Sequence, residues 1–539
     1  MKRLLPFLFL PFTLLFVAGC GQRETDVQRA TRDGILLIST GAEPRDLDPH
    51  VVTGLPEHKV IKSILQGLVS DHPTSSNYVE PGVATHWEHA EGYREWTFFL
   101  RDNARWSNGD PVTAEDFLFA FQRILNPLFA APYASMLYII DGAEAFHMGE
   151  LTDFAGVGVH APDPHTLHFR LTAAAPYFPL MLTHYTYFPV HRPTLERFNA
   201  VANRGTGWTR PANFVGNGPF RLTEWLPNQR ISVERNPYYW DAENVHLNGI
   251  RFFPIEDSQA EYRAFHAGQL HVTNSLPFNR RDRYRASGLA IMQENPYFAT
   301  SYLGINTNRP HLQSRLVRQA LGAALDTGRI IDQVTKNGRP AAGFVPPGIE
   351  GYPVRTELFF DPERARRLLA EAGHPNGQGL AEIEIVIPHT DTSRTVAEVV
   401  QEMWRRELGV RARVSTKEWQ VLLAELDNYN FDVFMLGWIG DYMDPRTFLK
   451  IMRTGDGNNR TGFANREFDA LIARSDAAET PAERFALLSE AEEILMYEMP
   501  IIPMNWTNNL FLLHPDVHGW APKPLDDVPY KHLRLIASE

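Results

Sequence analysis

The sequence contains a single cysteine, Cys20, among 539 residues. A chain without a second cysteine forms no internal disulfide, and beyond Cys20 it offers no thiolate to a metal or a substrate. Its apolar runs all fall short of the roughly 20 residues that a membrane-spanning helix needs. Acidic residues outnumber basic ones by 64 to 52, which excludes the basic surface of a nucleic-acid-binding protein.

The usual catalytic motifs are missing as well. The sequence has no G-x-S-x-G nucleophile elbow, no H-E-x-x-H zinc motif and no Walker A loop. We therefore expect a protein that is not an enzyme and that needs no metal and no cofactor. With 44% hydrophobic residues, the chain is long enough to bury a large core and to fold as more than one domain.

The N-terminus has the features of an export signal. Two basic residues precede the apolar run Leu4–Val17, which is typical of a secretory signal peptide. The run ends in the letters VAGC, which resemble the bacterial lipobox, so residues 1–20 are predicted to be a leader with lipidation at Cys20. Residues 21–33 are polar and are predicted to form a tether. The acyl chains would hold the protein in the cell envelope, in the periplasmic space or at the outer face of the cell membrane.

Helix and strand signals alternate along the rest of the chain. Strands are predicted at 35–39, 96–100, 410–414 and 501–513, and helices at 60–68, 361–373, 396–408 and between Pro481 and Pro500. A further helix is predicted to begin at Thr113, a capping residue with an acid three positions later. This alternation indicates a mixed α/β protein of several domains.

Five long motifs in a fixed order resemble the oligopeptide-binding proteins of bacterial ABC importers, which form the peptide/nickel type of solute-binding protein family 5. The motifs are EPRDLDPH at 43–50, WTFFLRDNARWSNGDPVTAEDF at 96–117, GNGPFRLTEW at 216–225, RNPYYW at 235–240 and FDVFMLGWIGDYMDPRTFL at 431–449. The resemblance extends over nearly the whole chain after the leader. Members of this family bind oligopeptides, dipeptides, murein peptides and, in some branches, nickel chelates.

The resemblance implies an α/β fold of the two-lobed periplasmic binding protein type, the large three-domain variety of type II, with a hinged cleft between the lobes. By similarity, lobe I comprises residues 34–65, 190–290 and 508–539. An additional domain II comprises residues 66–189, and lobe III comprises residues 291–507. A few chain crossings between the lobes would form the hinge.

The resemblance also implies how a ligand is held. An extended peptide would pair its backbone with Thr53 and Leu55 on one lobe and with Gly437 and Ile439 on the other. Asp441 occupies the position that binds the peptide amine in the family. A buried ammonium group needs such a carboxylate, because burying a charge without a partner costs several kcal/mol.

Aromatic side chains are expected to line the side-chain pockets. Trp438, Trp419 and Tyr133 match family positions with this role, although core packing would explain them equally well. An Asx turn or a helix cap remains an alternative role for Asp441, and Asp444, which precedes a proline, is the better candidate for a cap.

The sequence departs from the family at the end that binds the peptide carboxylate. Basic or imidazole groups in well-known relatives are replaced here by Leu426, Met435 and Ser393. Arg309 and Arg394 are the nearby candidates that could bind a carboxylate. The replaced groups leave the preferred peptide length open.

By this resemblance, the protein is a binding receptor that presents short peptides to an ABC transporter permease with its ATPase subunits. It is expected to be a monomer that binds no nucleic acid. Alternatives within the same fold are a receptor for a murein peptide, an amine-bearing compound or a chelated metal, and ligand presentation to a membrane sensor. A secreted peptidase is disfavoured because the chain has neither a nucleophile motif nor a metal motif.

Overall fold

A computed structural model describes residues 24–288, 291–478, 480–525 and 527–538. The predicted leader, with Cys20, lies outside the described residues. Within the described ranges, every helix is too short or too polar to span a bilayer.

The strands of the described residues fall into three main sheets and two small ones. In chain order they are β1 (Ile35–Ser39), β2 (Val69–Asp71), β3 (Val79–Pro81), β4 (Ala84–His89), β5 (Glu95–Leu100), β6 (Val159–Asp163), β7 (Thr166–Arg170), β8 (Phe220–Leu226), β9 (Arg230–Arg235), β10 (Gly249–Phe253), β11 (Met292–Ile305), β12 (Arg339–Pro340), β13 (Ile383–Pro388), β14 (Ala412–Lys417), β15 (Val433–Ile439), β16 (Ile501–Leu512), β17 (Val517–His518) and β18 (Arg534–Leu535).

The α-helices pack around these sheets. They are α1 (Asp26–Asp33), α2 (Leu55–Ile64), α3 (Ala114–Leu125), α4 (Ala143–His147), α5 (Phe178–Met181), α6 (Arg192–Arg197), α7 (Ser258–His266), α8 (Phe278–Ser287), α9 (Arg315–Ala323), α10 (Thr327–Ile330), α11 (Pro362–Glu371), α12 (Asp391–Leu408), α13 (Trp419–Asp427), α14 (Arg446–Leu449), α15 (Arg466–Asp476) and α16 (Pro481–Glu498).

The three main sheets differ in topology. The first has the order β1-β10-β9-β8, with β1 parallel to β10 and the other neighbours antiparallel. The second, β4-β5-β7-β6, is antiparallel. The third is a mixed sheet of six strands in the order β12-β16-β11-β15-β13-β14. The first two sheets share one hydrophobic core, so they pack as neighbours.

The six-stranded sheet is buried on both faces. Along β11, Leu303 and Ile305 belong to the core on one face, whereas Phe298 and Tyr302 belong to the core on the other. Successive side chains of a strand point to opposite faces, so a strand covered on both sides is apolar throughout. This explains why β13 and β15 are nearly continuous apolar runs.

Two long strands connect the six-stranded sheet to the first sheet. β11 and β16 pair over two stretches, and their ladder is interrupted between Pro296 and Thr300. Beyond the end of β16, Leu513 pairs with Val272, which in turn pairs with Ile38 of β1. The interruption lies where the strands pass from one sheet to the other. The predicted domain boundaries and the hinge stay a proposal.

Most of the elements read from the sequence are present, including β1, β5, α3, α11, α12, α16 and β16. The signals were local: Thr113 and Asp116 form a capping box at α3, and α12 ends at Gly409 in the left-handed conformation. Such caps act within one turn of a helix, so a short sequence window contains them.

Three predictions of secondary structure are wrong in part. The tether predicted over 21–33 is a helix from Asp26 to Asp33, whose Val27 and Ala30 pack against Leu37 of β1. Only two apolar residues make this contact, so the segment looked uniformly polar. The helix predicted over 60–68 is Leu55–Ile64, and the strand predicted over 410–414 is Ala412–Lys417.

Candidate functional site

A cavity of about 490 Å³ lies between the α2 region and the six-stranded sheet. Residues of the α2 region and residues of the six-stranded sheet both form its wall. The predicted site residues that line it are Thr53, Leu55, Tyr133, Trp419, Gly437, Trp438, Ile439 and Asp441. The structure therefore brings together residues that lie almost 400 positions apart in the chain.

Asp441 lies just beyond β15 with its carboxylate in the cavity wall. The hydroxyl of Thr447 donates to Oδ2 at 3.0 Å, and the phenol of Tyr133 donates to Oδ1 at 3.4 Å. His184 Nε2 lies 3.5 Å from Oδ1. The backbone N–H of Thr186 donates to His184 Nδ1, so Nε2 carries the imidazole proton that faces the carboxylate.

The charge of this carboxylate is not neutralised by a basic side chain. Burial lowers the pKa of His184 well below its usual value, so the ring is neutral at pH 7. Among the described residues no lysine or arginine nitrogen lies within 4 Å of Asp441. Burial raises the pKa of Asp441 to about 7, although the Thr447 hydrogen bond and the charge of Lys450 oppose the shift. The site thus holds a buried acid that an incoming cation would stabilise.

Asp441 does not serve as a helix cap. Its side chain accepts hydrogen bonds from the hydroxyls of Thr447 and Tyr133, not from a backbone N–H of α14. Asp444 accepts the N–H of Arg446 at 2.9 Å and binds Arg484 through both carboxylate oxygens at 2.7 Å. The local structural role therefore belongs to Asp444.

The strand that precedes Asp441 has an unpaired edge. The N–H of Gly440 donates to the carbonyl of Phe298 in β11. Backbone hydrogen bonds alternate along an antiparallel pair, so the N–H and C=O groups of Trp438 point toward β11, and those of Gly437 and Ile439 point away from it. On that other side the ladder to β13 ends at Phe434. The N–H and C=O groups of Gly437 and Ile439 therefore lie along an edge that β13 leaves open.

The opposite wall of the cavity contains the other two residues predicted to pair with a peptide backbone. Thr53 belongs to no helix or strand, and Leu55 is the first residue of α2. The pairing of Leu55 with a peptide backbone stays a prediction. Backbone N–H groups in the first turn of a helix have no intrahelical partner, so they can still donate to a ligand.

The predicted aromatic residues surround the cavity. Trp438 is fixed by a hydrogen bond from its indole N–H to the carbonyl of Thr447 at 3.0 Å, and its ring lies 6.5 Å from that of Tyr133. Trp419 begins α13 and lies close to Gly54 of the opposite wall. Its buried indole N–H has no hydrogen-bond partner among the described residues.

The two arginines predicted to bind a carboxylate are not in the cavity wall. Arg309 Nε donates to the carbonyl of Phe431 at 2.9 Å and pairs with Asp432 at 3.2 Å. Arg394 is exposed on α12. Neither side chain is therefore part of the cavity wall.

The three replaced family positions have different locations. Met435 and Ser393 line the cavity, whereas Leu426 is fully buried in a hydrophobic core. Two of the three positions therefore remain part of the wall although neither carries a charge.

Sequence reasoning missed the charged residues of the cavity wall. They are Lys62, Asp71, Arg281, Arg460 and Asp527. Lys62 and Asp71 form a buried ion pair at 2.5 Å, so their charges cancel. None of these residues belongs to a motif with a known role, and only the folded chain brings them to one surface.

Comparison with known proteins agrees with this architecture. A family model for the middle region of bacterial extracellular solute-binding proteins, family 5, matches residues 78–460. The periplasmic oligopeptide-binding protein OppA of Salmonella typhimurium is 33% identical over 521 residues, which cover 93% of this chain and 92% of that protein. OppA of Haemophilus influenzae, in complex with the peptide RPPGFSPFR, superposes with a TM-score of 0.88 at 30% identity over 94% of this chain and 99% of that one.

Two structures of the murein tripeptide-binding protein MppA of Escherichia coli show two arrangements of the fold. One structure of MppA superposes with a TM-score of 0.88 at 30% identity, with 93% of this chain and 98% of MppA covered. Its unliganded open form gives only 0.62 at the same identity, with 94% and 98% covered. The chain therefore belongs to family 5 of the bacterial extracellular solute-binding proteins, and it has their two-lobed α/β fold in an arrangement unlike that open form.

Proposed function

We propose that this chain captures short peptides in the cavity between its lobes and delivers them to the permease of an ABC importer. The observation that carries the proposal is Asp441, a buried carboxylate that has hydroxyl and imidazole neighbours and, among the residues the structure describes, no lysine or arginine within ion-pair distance. A peptide ammonium group would supply the missing positive charge. Its burial would then be balanced by a charge-assisted hydrogen bond.

The unpaired edge of β15 supports a peptide as the ligand. Gly437 and Ile439 present N–H and C=O groups along one line, and an extended peptide can pair with both in the manner of an added strand. Because the pairing uses main-chain atoms only, it accepts many side-chain sequences. The cavity volume beside this edge leaves room for those side chains.

The relatives support the same class of ligand. OppA of two species is described as oligopeptide-binding, and one of its structures contains a nine-residue peptide. MppA, at 32% identity over 503 residues, is described as a murein peptide-binding protein. A murein peptide also carries an amine and a peptide backbone, so it is a variant of the same proposal.

We also propose that Cys20 is acylated after removal of the leader, so that the receptor is held at a membrane surface in the cell envelope. In this proposal the protein acts as a monomer, without catalysis, and its transport partners are the permease and the ATPase subunits. The VAGC sequence after the apolar run supports the lipid anchor.

Native mass spectrometry of the protein as purified tests the proposal. The bound molecules are released by denaturation and sequenced. We expect a mixed population of short peptides with free amino termini, which also gives the preferred length. A single non-peptide compound or a metal complex would instead mean that the fold serves another ligand.

A further inference from the structure

Arg460 is a cationic residue of the cavity wall that no motif of the sequence identifies. Its side chain is 15% exposed, and Nε is buried without a hydrogen-bond partner among the described residues. Nη2 makes two long contacts, at 3.4 Å to the hydroxyl of Thr53 and at 3.5 Å to Oδ1 of Asp427. The guanidinium therefore retains donors that the protein does not use well.

The carboxylate nearest to Arg460 is shared with a second arginine. Arg45 binds Oδ2 of Asp427 at 2.9 Å, the shorter of the two ion pairs. Asp427 is 40% exposed, so solvent weakens its interaction with either arginine. Two arginines share one carboxylate, so one of their positive charges is not balanced by it. Of the two arginines, only Arg460 lines the cavity.

The position of Arg460 suits the distal end of a bound peptide. Arg460 lines the cavity together with Tyr133 and Tyr302. Burial raises the pKa of both phenols, and the charge of Arg460 opposes both shifts. Tyr133 contacts Asp441, and Tyr302 pairs with Leu436, which lies five residues before Asp441.

A strand rises about 3.3 Å per residue, so the backbone between the levels of Leu436 and Asp441 spans roughly 16 Å or less. Asp441 and Arg460 line the same cavity, so we expect a short extended peptide with its amine at Asp441 to end, or to place a side chain, within reach of Arg460. Thr53, which Arg460 contacts, belongs to the opposite wall, so a group bound here would touch both sides of the cavity.

We propose that Arg460, together with the Thr53 hydroxyl, binds an anionic group of the ligand, either the C-terminal carboxylate of a short peptide or an acidic side chain. This inference rests on the proposed peptide-binding function. It assigns to Arg460 the role that the sequence had suggested for Arg309 and Arg394. Arginine offers a planar pair of N–H donors that matches a carboxylate.

The test compares Arg460→Met with Arg45→Met. Both variants remove one arginine from Asp427, but only the first changes the cavity wall. Isothermal titration measures the Kd of Ala-Ala-Ala, its C-terminal amide, and the amides of Ala-Glu-Ala and Ala-Gln-Ala. Circular dichroism and thermal melting report whether each variant is folded, and Arg460→Lys, which keeps the charge, provides a second variant.

We expect Arg460→Met to weaken at least one anionic ligand about tenfold or more and its neutral counterpart less than twofold. Loss confined to the acid form of Ala-Ala-Ala identifies the terminal carboxylate, and loss confined to the Glu peptide identifies an acidic side chain. Arg460→Lys is expected to retain part of the discrimination, and Arg45→Met all of it.

Equal losses for charged and neutral ligands, no loss for any ligand, or the same discrimination lost in Arg45→Met would overturn the role of Arg460 alone. Peptide binding by the unmodified chain would persist in all three cases. Failure of the unmodified chain to bind any peptide would instead overturn the proposed function, and this inference with it.

Discussion

Asp441 is a buried acid whose neighbours are two hydroxyls and a neutral imidazole, and no lysine or arginine of the described part of the chain forms an ion pair with it. We predict that Asp441→Asn weakens peptides with a free amine by about 2–4 kcal/mol, because the variant leaves a buried ammonium without a counter-charge. Titration calorimetry with a tripeptide and its N-acetylated form measures the effect. Acetylation should weaken binding to the unmodified protein and should cause little further loss in the variant.

An equal effect of acetylation in both proteins would mean that Asp441 and the peptide amine do not interact. Asp432→Asn provides a comparison, because Asp432 is a partly buried acid that pairs with Arg309 away from the cavity. It should change the thermal stability without changing the preference for a free amine.

The same carboxylate gives peptide binding a dependence on pH. The pKa of Asp441 is raised to about 7, and that of buried Lys450 nearby is lowered to about 7. As pH falls below 7, Asp441 loses its negative charge and Lys450 gains a positive one, so both changes disfavour an ammonium ligand. Above pH 8 the peptide amine itself becomes neutral, since its pKa is about 7.7–8.0.

Affinity should therefore be highest between about pH 7 and pH 8, and it should fall on either side. Calorimetry in buffers with different ionisation enthalpies should detect proton release on binding at pH 6. Asp441→Asn should reduce the loss of affinity below pH 7. A profile that is unchanged by this substitution would show that another group controls the dependence.

At the scale of elements, β15 is the strand that positions the site. Its alternate side chains are buried on the two faces of the six-stranded sheet. Its last residues do not pair with β13. Gly437 is not required by backbone strain, because it has no positive φ and an added Cβ would make only an ordinary contact with the carbonyl of Thr300. The strand therefore contributes through its main chain.

We predict that N-methylation of a peptide ligand at an amide that faces Gly437 or Ile439 weakens binding by about 1–3 kcal/mol, since a buried carbonyl of the strand loses its donor. Titration of a tripeptide methylated at each amide in turn measures the loss. Exchange of a side chain of similar size at the same position should cost less. Equal tolerance of methylation at every amide would contradict strand pairing.

At the scale of the whole molecule, ion pairs join segments that lie far apart in the chain. Arg45 pairs with Asp427, and Glu144 pairs with Arg453 at 3.2 Å. These pairs are partly exposed, and such pairs contribute only about 0.2–1 kcal/mol each. We therefore expect the arrangement of the lobes in this structure to depend on a ligand that bridges the walls of the cavity.

We predict that small-angle X-ray scattering of the ligand-stripped protein gives a larger radius of gyration than that of the peptide-saturated protein. The change should require a higher peptide concentration in Asp441→Asn, because closure is coupled to ammonium binding. Identical scattering with and without peptide would show that the closed arrangement does not depend on the ligand.

Membrane attachment is a second prediction at this scale. Cys20→Ser removes the only cysteine of the chain. We expect the unmodified protein in the membrane fraction with a mass increase from acyl chains, and the variant outside that fraction without the increase. Equal distribution of the two proteins between fractions would contradict the lipid anchor.

The sequence by itself determined the elements whose signals are local. The capping box at α3 and the glycine that ends α12 each lie within a short window, because a cap acts over one turn of a helix. The motif around Asp441 likewise predicted the acid that lies in the cavity, and family resemblance predicted the two-lobed fold.

Only the tertiary structure decided which charged side chains meet. Arg309 is held by Asp432, whereas Arg460 reaches Thr53, which lies 407 residues away in the chain. It also decided that Leu55 begins a helix and that 26–33 is folded against β1. The physical reason is that an ion pair or a packing contact depends on the distance between distant segments after folding, and no short pattern in the chain contains that distance.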